Sequence, residues 1–322
     1  MLRYKPAKVG YNDRMKSIPH PIQYQGSKRN LAPIILRYVP KGVDCLIEPF
    51  AGSAAISIAA AARKMAKTYM VNDLNKPLAE LLQLIVEFPG ETASFYEQVW
   101  NAQHDDSIKH FYQVREEFNR TQDPRLFLYL LTRCVKGSVR YNSNGLFNQS
   151  PDKRRFGTRP ETMRANILGV SALLKGKSRF SSLDYREVLA SAKITDLVYM
   201  DPPYQGVCGE RDSRYFSGIG HCDFVASLEE LNARSISYIV SYDGRRGDKA
   251  FGELLPASLD LAHIELDAGR SSQSTLLGRD EVTYESLYLS QALTDKLAHK
   301  PADYHQHRAQ QFVLFEPAAH YA

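Results

Sequence analysis

The stretch DLVYMDPPYQG, residues 196–206, joins an apolar run to an acid, two prolines and an aromatic. Leu197-Val198-Tyr199-Met200 has the length of a buried strand. It stops at Asp201, and Pro202 and Pro203 cannot continue a hydrogen-bonded ladder. A strand that ends on a carboxylate, two rigid residues and Tyr204 has the look of one edge of a binding cleft. In an open α/β sheet, ligands lie beyond the carboxyl ends of the strands.

Strand and helix alternate on either side of this stretch. "VDCLIEPF" (43–50) reads as a strand and Ser53 to Arg63 as a helix; "TYMVND" (68–73) is a second strand, followed by a helix through Val86. From Pro89 to Lys177 the apolar positions instead recur at helical spacing, as in "IKHFYQVREEFNR" and "PRLFLYLLTRCVKG". The exception is "SVRYNSNGLFNQSP", where Asn144-Gly145 between short β-prone runs predicts a hairpin. Alternation resumes with "SRFSSLD", the opening stretch, "SYIVSYDG", "LDLAHIEL" and "ESLYLS". The fold expected is α/β, a Rossmann-like doubly wound sheet interrupted by an inserted, mostly helical region that carries a hairpin. The expected boundaries are a basic arm (1–21), a catalytic domain (22–88 and 178–292), the helical insertion (89–177) and a polar tail (293–322).

Bulk properties exclude several classes. The longest small-apolar run, Ala54 to Ala62, falls well short of the roughly 20 residues of a membrane span and reads as a buried helix. The N-terminus lacks the apolar core of a signal peptide, and the four cysteines form no CxxC pair. A reducing cytoplasm, no membrane and no metal site are therefore expected. Charge is informative only locally. Between Arg133 and Arg164, eight Lys or Arg residues face only Asp152 and Glu161, a surplus larger than the chain's net +5. A basic surface on a near-neutral body suits a polyanion.

Three strand ends carry candidate chemistry. The first, "EPFAGSAAI", runs Glu48-Pro49-Phe50 into a turn whose Gly52 would let the backbone pass close to a ligand. The second, "VNDLN", places Asp73 where an acid commonly holds ribose hydroxyls; locally, Asn72 or Asp73 serves equally well as a helix N-cap. Without a glycine-rich phosphate cradle, the two ends suit S-adenosylmethionine better than a dinucleotide. At the third, the Asp201 carboxylate and the Pro202 carbonyl form two fixed acceptors for an NH2 group. Tyr204 supplies a flat face for a heteroaromatic ring. Such a clamp favours a tetrahedral amine nitrogen and stabilises the positive charge that develops there during methyl transfer.

In this order the motifs resemble those of the Dam-like (alpha-group) DNA N6-adenine methyltransferases, from Ile22 to Ser290. "YQGSKRNLAPII" is similar to the family's N-terminal segment, "LIEPFAGSAAI" to its cofactor loop and "NDLNKPL" to its acidic motif. "SSLDYREVL" is similar to the segment after the third strand, "DPPY" to the catalytic tetrapeptide, and "LYLLTRCVKGSVRYNSNGLFNQ" to the signature helix and DNA-contacting hairpin. The resemblance implies S-adenosylmethionine as cofactor, held by Tyr24, Gly26, Lys28, Glu48, Pro49, Phe50, Gly52, Asp73, Asp184 and Asp201. It implies catalysis by Asp201, Pro202, Pro203 and Tyr204 on an adenine flipped out of double-stranded DNA. Arg140, Tyr141, Asn142 and Asn148 are expected to hold the DNA, with Lys153, Arg154, Arg155 and Arg159 on phosphates. The polar segment 268–281 is expected as a mobile loop near the DNA, with Arg270 and Arg279 reaching its backbone. A cognate restriction endonuclease would be a genetic partner only. Two positions depart from the family pattern: Ala54 replaces a common second glycine, and Lys136 a common asparagine. Transfer to cytosine N4, to an RNA adenine or to a glutamine amide remains open on clamp chemistry alone, as does a DNA-binding relative without catalysis. A nicotinamide dehydrogenase lacks its glycine fingerprint here.

Overall fold

The computed structural model describes residues 18–203, 219–246, 249–251, 254–270 and 282–298. Its centre is a sheet ordered β3-β2-β1-β4-β5-β8-β7, with a short β6 paired to β5. The strands are β1 (Val43–Glu48), β2 (Ala66–Asn72), β3 (Ser178–Ser181), β4 (Leu197–Met200), β5 (Ser237–Arg246), β6 (Lys249–Phe251), β7 (Ala262–Arg270) and β8 (Val282–Leu289). The first five run parallel, and β8 is antiparallel to both β5 and β7. Strand order reverses between β1 and β4, so their carboxyl ends flank the crevice where such sheets bind ligands.

Side chains alternate along the central strands into two cores. Leu46, Leu197 and Tyr199 pack on one face, Ile47, Val198 and Met200 on the other. The first face is covered by α1 (Ala32–Ile35), α2 (Ala55–Ala62), α3 (Lys76–Glu87), α4 (Pro89–Asn101), α5 (Ser107–Thr121), α6 (Pro124–Arg133) and α7 (Pro160–Leu174); α8 (Tyr185–Ala190) and α9 (His221–Ala233) cover the second. The alanine-rich α2 is buried at every residue but Ala62. Small side chains let it lie close to β1, β2 and α7. Asp106 and Asp123 start α5 and α6 by accepting backbone N–H bonds, as N-caps do.

The inserted helices do not enclose a core of their own. Phe118, Phe127 and Leu130 belong to the same cluster as Leu46 and Tyr69 of the sheet. Nor does the chain become a tail at residue 293: α10 (Gln291–Ala298) runs through it, with Leu293 and Leu297 buried. From residue 299 onward the expected tail lies outside the described residues. The end of the expected arm, Ile18 to Pro21, packs against α7, with the His20 amide donating to Asn166 Oδ1 at 3.2 Å. Residues 268–270, expected in a loop, complete β7; 271–281 lie outside the described residues.

The hairpin is real but minimal. One bridge, Tyr141 to Phe147, is flanked by Asn142 N to Leu146 O (2.9 Å) and Asn148 N to Arg140 O (3.0 Å), with Gly145 at φ +73° in the turn. Its anchor is Phe147, buried against Phe118 and Phe127. Among the described residues no helix is long and apolar enough to cross a membrane.

Candidate active site

A cavity of about 320 Å³ opens at the carboxyl ends of β1, β2 and β4. All the expected cofactor positions (Tyr24, Gly26, Lys28, Glu48, Pro49, Phe50, Gly52, Asp73, Asp184 and Asp201) line it, together with Pro202 and Pro203. Tyr204 lies outside the described residues.

The loop after β1 is shaped by its backbone. Gly52 has φ +52°, and a Cβ there would come within 3.3 Å of the Tyr24 ring. Ala54 follows at φ 53°, in the left-handed region and fully buried. An alanine there costs about 1 kcal/mol more than a glycine would. The turn therefore forms, but under strain. Asp73 clasps it: Oδ2 accepts from Gly52 N at 2.8 Å and Oδ1 from Asn75 N at 2.9 Å. Burial raises the Asp73 pKa, and these two amides oppose the rise. Asn75, not Asn72 or Asp73, is the N-cap residue of α3.

Asn72 is instead a hub that sequence reasoning missed. Its buried carboxamide donates to Pro49 O and Leu183 O, and accepts from Leu183 N and the Ser181 hydroxyl, all within 2.7–3.0 Å. One residue thus sets the spacing of three strand ends. The only sequence signal is an amide where β2 should end in an apolar residue. Phe50 packs in a ring cluster with Tyr185 and Phe224 at 5.2 and 6.5 Å. Asp184 caps α8 through Arg186 N (2.9 Å), and the Arg186 guanidinium holds its pKa low.

The charged centre lies deeper. Lys28 Nζ, almost fully buried, is 2.9 Å from Asp201 Oδ1 and 3.4 Å from Glu285 Oε2. Burial pushes the Asp201 carboxyl up to about 6; Lys28 opposes this and Glu285 adds to it. Glu48, 2% exposed, accepts from Ser57 N at 2.8 Å. Burial outweighs that bond and, with the Asp201 charge nearby, pushes Glu48 up to about 7. Carboxylates from three strand ends thus face one cavity, an arrangement suited to a cationic ligand.

On the hairpin side the residues expected to hold DNA differ in their exposure and partners. Tyr141 does not face outward. It lines the cavity with Val139, and its hydroxyl donates to Asn75 Oδ1 at 3.2 Å. Asn142 spends its carboxamide oxygen within the turn, accepting from Asn144 N and Leu146 N at 2.9 Å each. Arg140 and Asn148 are exposed, as are Lys153 and Arg159. Arg154 and Arg155 are exposed but lean on the buried Asp152 carboxylate at 3.4 and 3.5 Å. Two further basic residues counted in the cluster are not part of a free surface. Arg133 is buried, donating to Ser107 O at 3.1 Å, and Arg164 pairs with Glu97 at 3.0 Å. Arg270 is the last residue of β7, and Arg279 lies outside the described residues. Two residues of α5 that the sequence did not single out hold the hairpin in place. Asn119 brackets Phe147, bonding its N–H (2.8 Å) and its C=O (3.0 Å), and Arg115 donates to Gln149 O at 3.2 Å.

The 3-2-1-4-5 parallel order with an antiparallel β8, and an acid–proline turn facing a cavity at the reversal point, define a Rossmann-like methyltransferase fold. The chain belongs to the D12 class N6 adenine-specific DNA methyltransferases, whose family model matches residues 24–267. It is 30% identical over 191 residues to a DNA adenine methylase of Serratia marcescens, covering 57% of this chain and 66% of that protein. A DNA adenine methylase of Escherichia coli K12 is 29% identical over 187 residues, 57% of this chain and 64% of the relative. A DNA N-6-adenine-methyltransferase of Escherichia phage P1 is 29% identical over 202 residues, 61% of this chain and 25% of the phage protein. The match spans just under two thirds of the two cellular relatives.

Proposed function

We propose that the protein transfers a methyl group from S-adenosylmethionine to the N6 amino group of an adenine in double-stranded DNA. The observation that carries this reading is the meeting of Asp201 and Pro202 with Asp73, Gly52 and Tyr24 around a single cavity, with the hairpin residues Val139 and Tyr141 on its wall.

The residues suit the cofactor. Each Asp73 oxygen already accepts one amide and keeps a further lone pair for a ribose hydroxyl. The Gly52 backbone and Tyr24 ring pack tightly, a Cβ at Gly52 lying 3.3 Å from the ring, as suits a close-packed nucleoside site. Asp201 supplies negative charge for a sulfonium and an ammonium group, and a cation entering the cavity would draw Glu48, with its carboxyl at about 7, into its ionised form as well. When bound, S-adenosylmethionine supplies an electrophilic methyl group.

The chain does the rest through acceptors. The two N6 hydrogens of adenine donate to the Asp201 carboxylate and the Pro202 carbonyl, which lies beyond the end of β4. This draws the nitrogen lone pair out of conjugation and towards the methyl carbon. Positive charge then grows on nitrogen beside a largely buried carboxylate, where the interaction is stronger than in water. Asp201 must be ionised for this, and with its carboxyl at about 6 the rate should fall as pH drops through that value. Arg140, Asn148, Lys153 and Arg159 lie exposed on the hairpin side, where they can hold a duplex while its target base turns out of the stack.

The test is incubation with unmethylated genomic DNA and S-adenosylmethionine, followed by single-molecule sequencing. N6-methyladenine confined to one short motif and abolished by Asp201→Ala is the expected result. Methylated cytosine, or no modified base despite cofactor binding, overturns the proposal.

A further inference from the structure

We propose that Glu285 of β8 is a positioning residue, a second seat for the Lys28 ammonium that frees Asp201 for the target amine; this rests on the methyl-transfer reading above. Lys28 and Asp201 line the cavity and Glu285 does not. It stands behind them, its side chain 24% exposed, reaching Lys28 at 3.4 Å from the antiparallel strand. Oε2 is buried and accepts no hydrogen bond among the described residues, so its contact with Lys28 is an ion pair without alignment.

A buried lysine held by one carboxylate is locked to it, because moving away leaves a bare charge. Among the described residues the lysine meets two carboxylates, one hydrogen-bonded at 2.9 Å and one waiting at 3.4 Å. A shift of a few tenths of an ångström turns the second contact into a bond and releases Asp201 Oδ1. That oxygen is then available to an N–H of the amine, and the pair of carboxylates keeps a net negative charge beside the developing cation. Lys28 therefore need not be desolvated anew when substrate docks. The register of the sheet contributes: a bulge in β5 between Tyr242, paired with Ser286, and Gly244, paired with Glu285, changes the phase of pairing at this residue. Bulges of this kind re-aim side chains beside active sites.

Among the described residues, the charged groups facing Asp201 are Lys28 from the N-terminal turn, Glu48 from β1 and Glu285 from β8. Removing the Glu285 charge removes a repulsion, so the Asp201 midpoint must fall. It also leaves Lys28 wholly on Asp201, weakening the acceptor.

Two readouts on Glu285→Gln separate this proposal from the function it rests on. The first is a carbon-13 NMR titration of the Asp201 carboxyl in the free protein, assigned with Asp201→Asn; the midpoint should move to lower pH. The second is methyl transfer to DNA across pH. kcat should fall about tenfold, the acid limb should shift down with the midpoint, and KM for S-adenosylmethionine should stay within about threefold. An unchanged Asp201 midpoint overturns the proposal whether or not the protein methylates DNA, and so does a lowered midpoint with unchanged kcat. Wild-type protein that modifies no DNA overturns the methyl-transfer reading, and with it this role for Glu285, while the titration still reports whether the two carboxylates are coupled. If thermal unfolding shows that Glu285→Gln does not fold, Glu285→Asp, with its carboxylate drawn back by one methylene, should give a smaller shift in the same direction; no shift overturns the proposal.

Discussion

Replacing Glu48 by glutamine should stabilise the protein in alkaline solution and leave it unchanged in acid. The carboxyl is buried at the end of β1 and accepts one backbone bond, from Ser57 N. Its pKa stands at about 7 in the fold against 4.5 in the unfolded chain. The folded state thus binds this proton more tightly than the unfolded state does. The stability it contributes is fully present below the unfolded value and is lost as pH rises through the folded one. A shift of this size corresponds to roughly 3 kcal/mol. Glutamine keeps the acceptor for Ser57 and carries no charge at any pH. At pH 4, below the unfolded value, the variant and the wild type should melt almost together. By pH 8.5 the variant should lead by up to roughly 3 kcal/mol, or roughly 4–5 °C in midpoint. Thermal unfolding followed by circular dichroism at several pH values measures this directly. Saturating S-adenosylmethionine should shrink the gap, because a cation in the cavity favours the ionised carboxylate of the wild type. A difference in midpoint equal at pH 4 and pH 8.5 would refute the reasoning, since Glu48 would then not titrate in this window.

Two further substitutions probe how the insertion is joined to the site. At Gly137 the backbone has φ +61°, and a Cβ would lie 2.7 Å from the carbonyl oxygen of Gln23, next to the Tyr24 that covers Gly52. Gly137→Ala should therefore cost about 2–4 kcal/mol and weaken S-adenosylmethionine binding at least about tenfold by calorimetry, whereas wild-type affinity would show that the N-terminal segment does not position the cofactor. Asn119→Ala removes both bonds that bracket Phe147, worth about 1–3 kcal/mol together. Duplex binding by fluorescence anisotropy should weaken while cofactor affinity holds, and equal loss of both would mean that the hairpin is not an independent DNA element.

Much of this site could be read along the chain because its parts are local. The strand–helix alternation, the acids at the ends of β1, β2 and β4, and the Asn-Gly turn are all short-range patterns. The carboxyl ends of parallel strands then converge by the geometry of the sheet. What could not be read concerns burial and partners. Arg133 and Arg164 enter a count of basic residues on equal terms with Lys153 and Arg159, but the first is sealed in the helical core and the second is paired with Glu97. The face that Tyr141 presents depends on Phe147 docking between rings of α5 and α6, which a hairpin pattern does not specify.

The sequence by itself determined the class of fold, the strand ends that line the cavity and the acid–proline turn, since each rests on a contiguous run of residues whose backbone preferences and polarity suffice. Only the tertiary structure decided that Lys28 lies between Asp201 and Glu285, that Asn72 sets the spacing of three strand ends, and that Glu48 holds its proton near neutrality. Pairing across the sheet and the loss of water around a charge are properties of the packed arrangement. Both arise between residues far apart in the chain, and no local pattern encodes them.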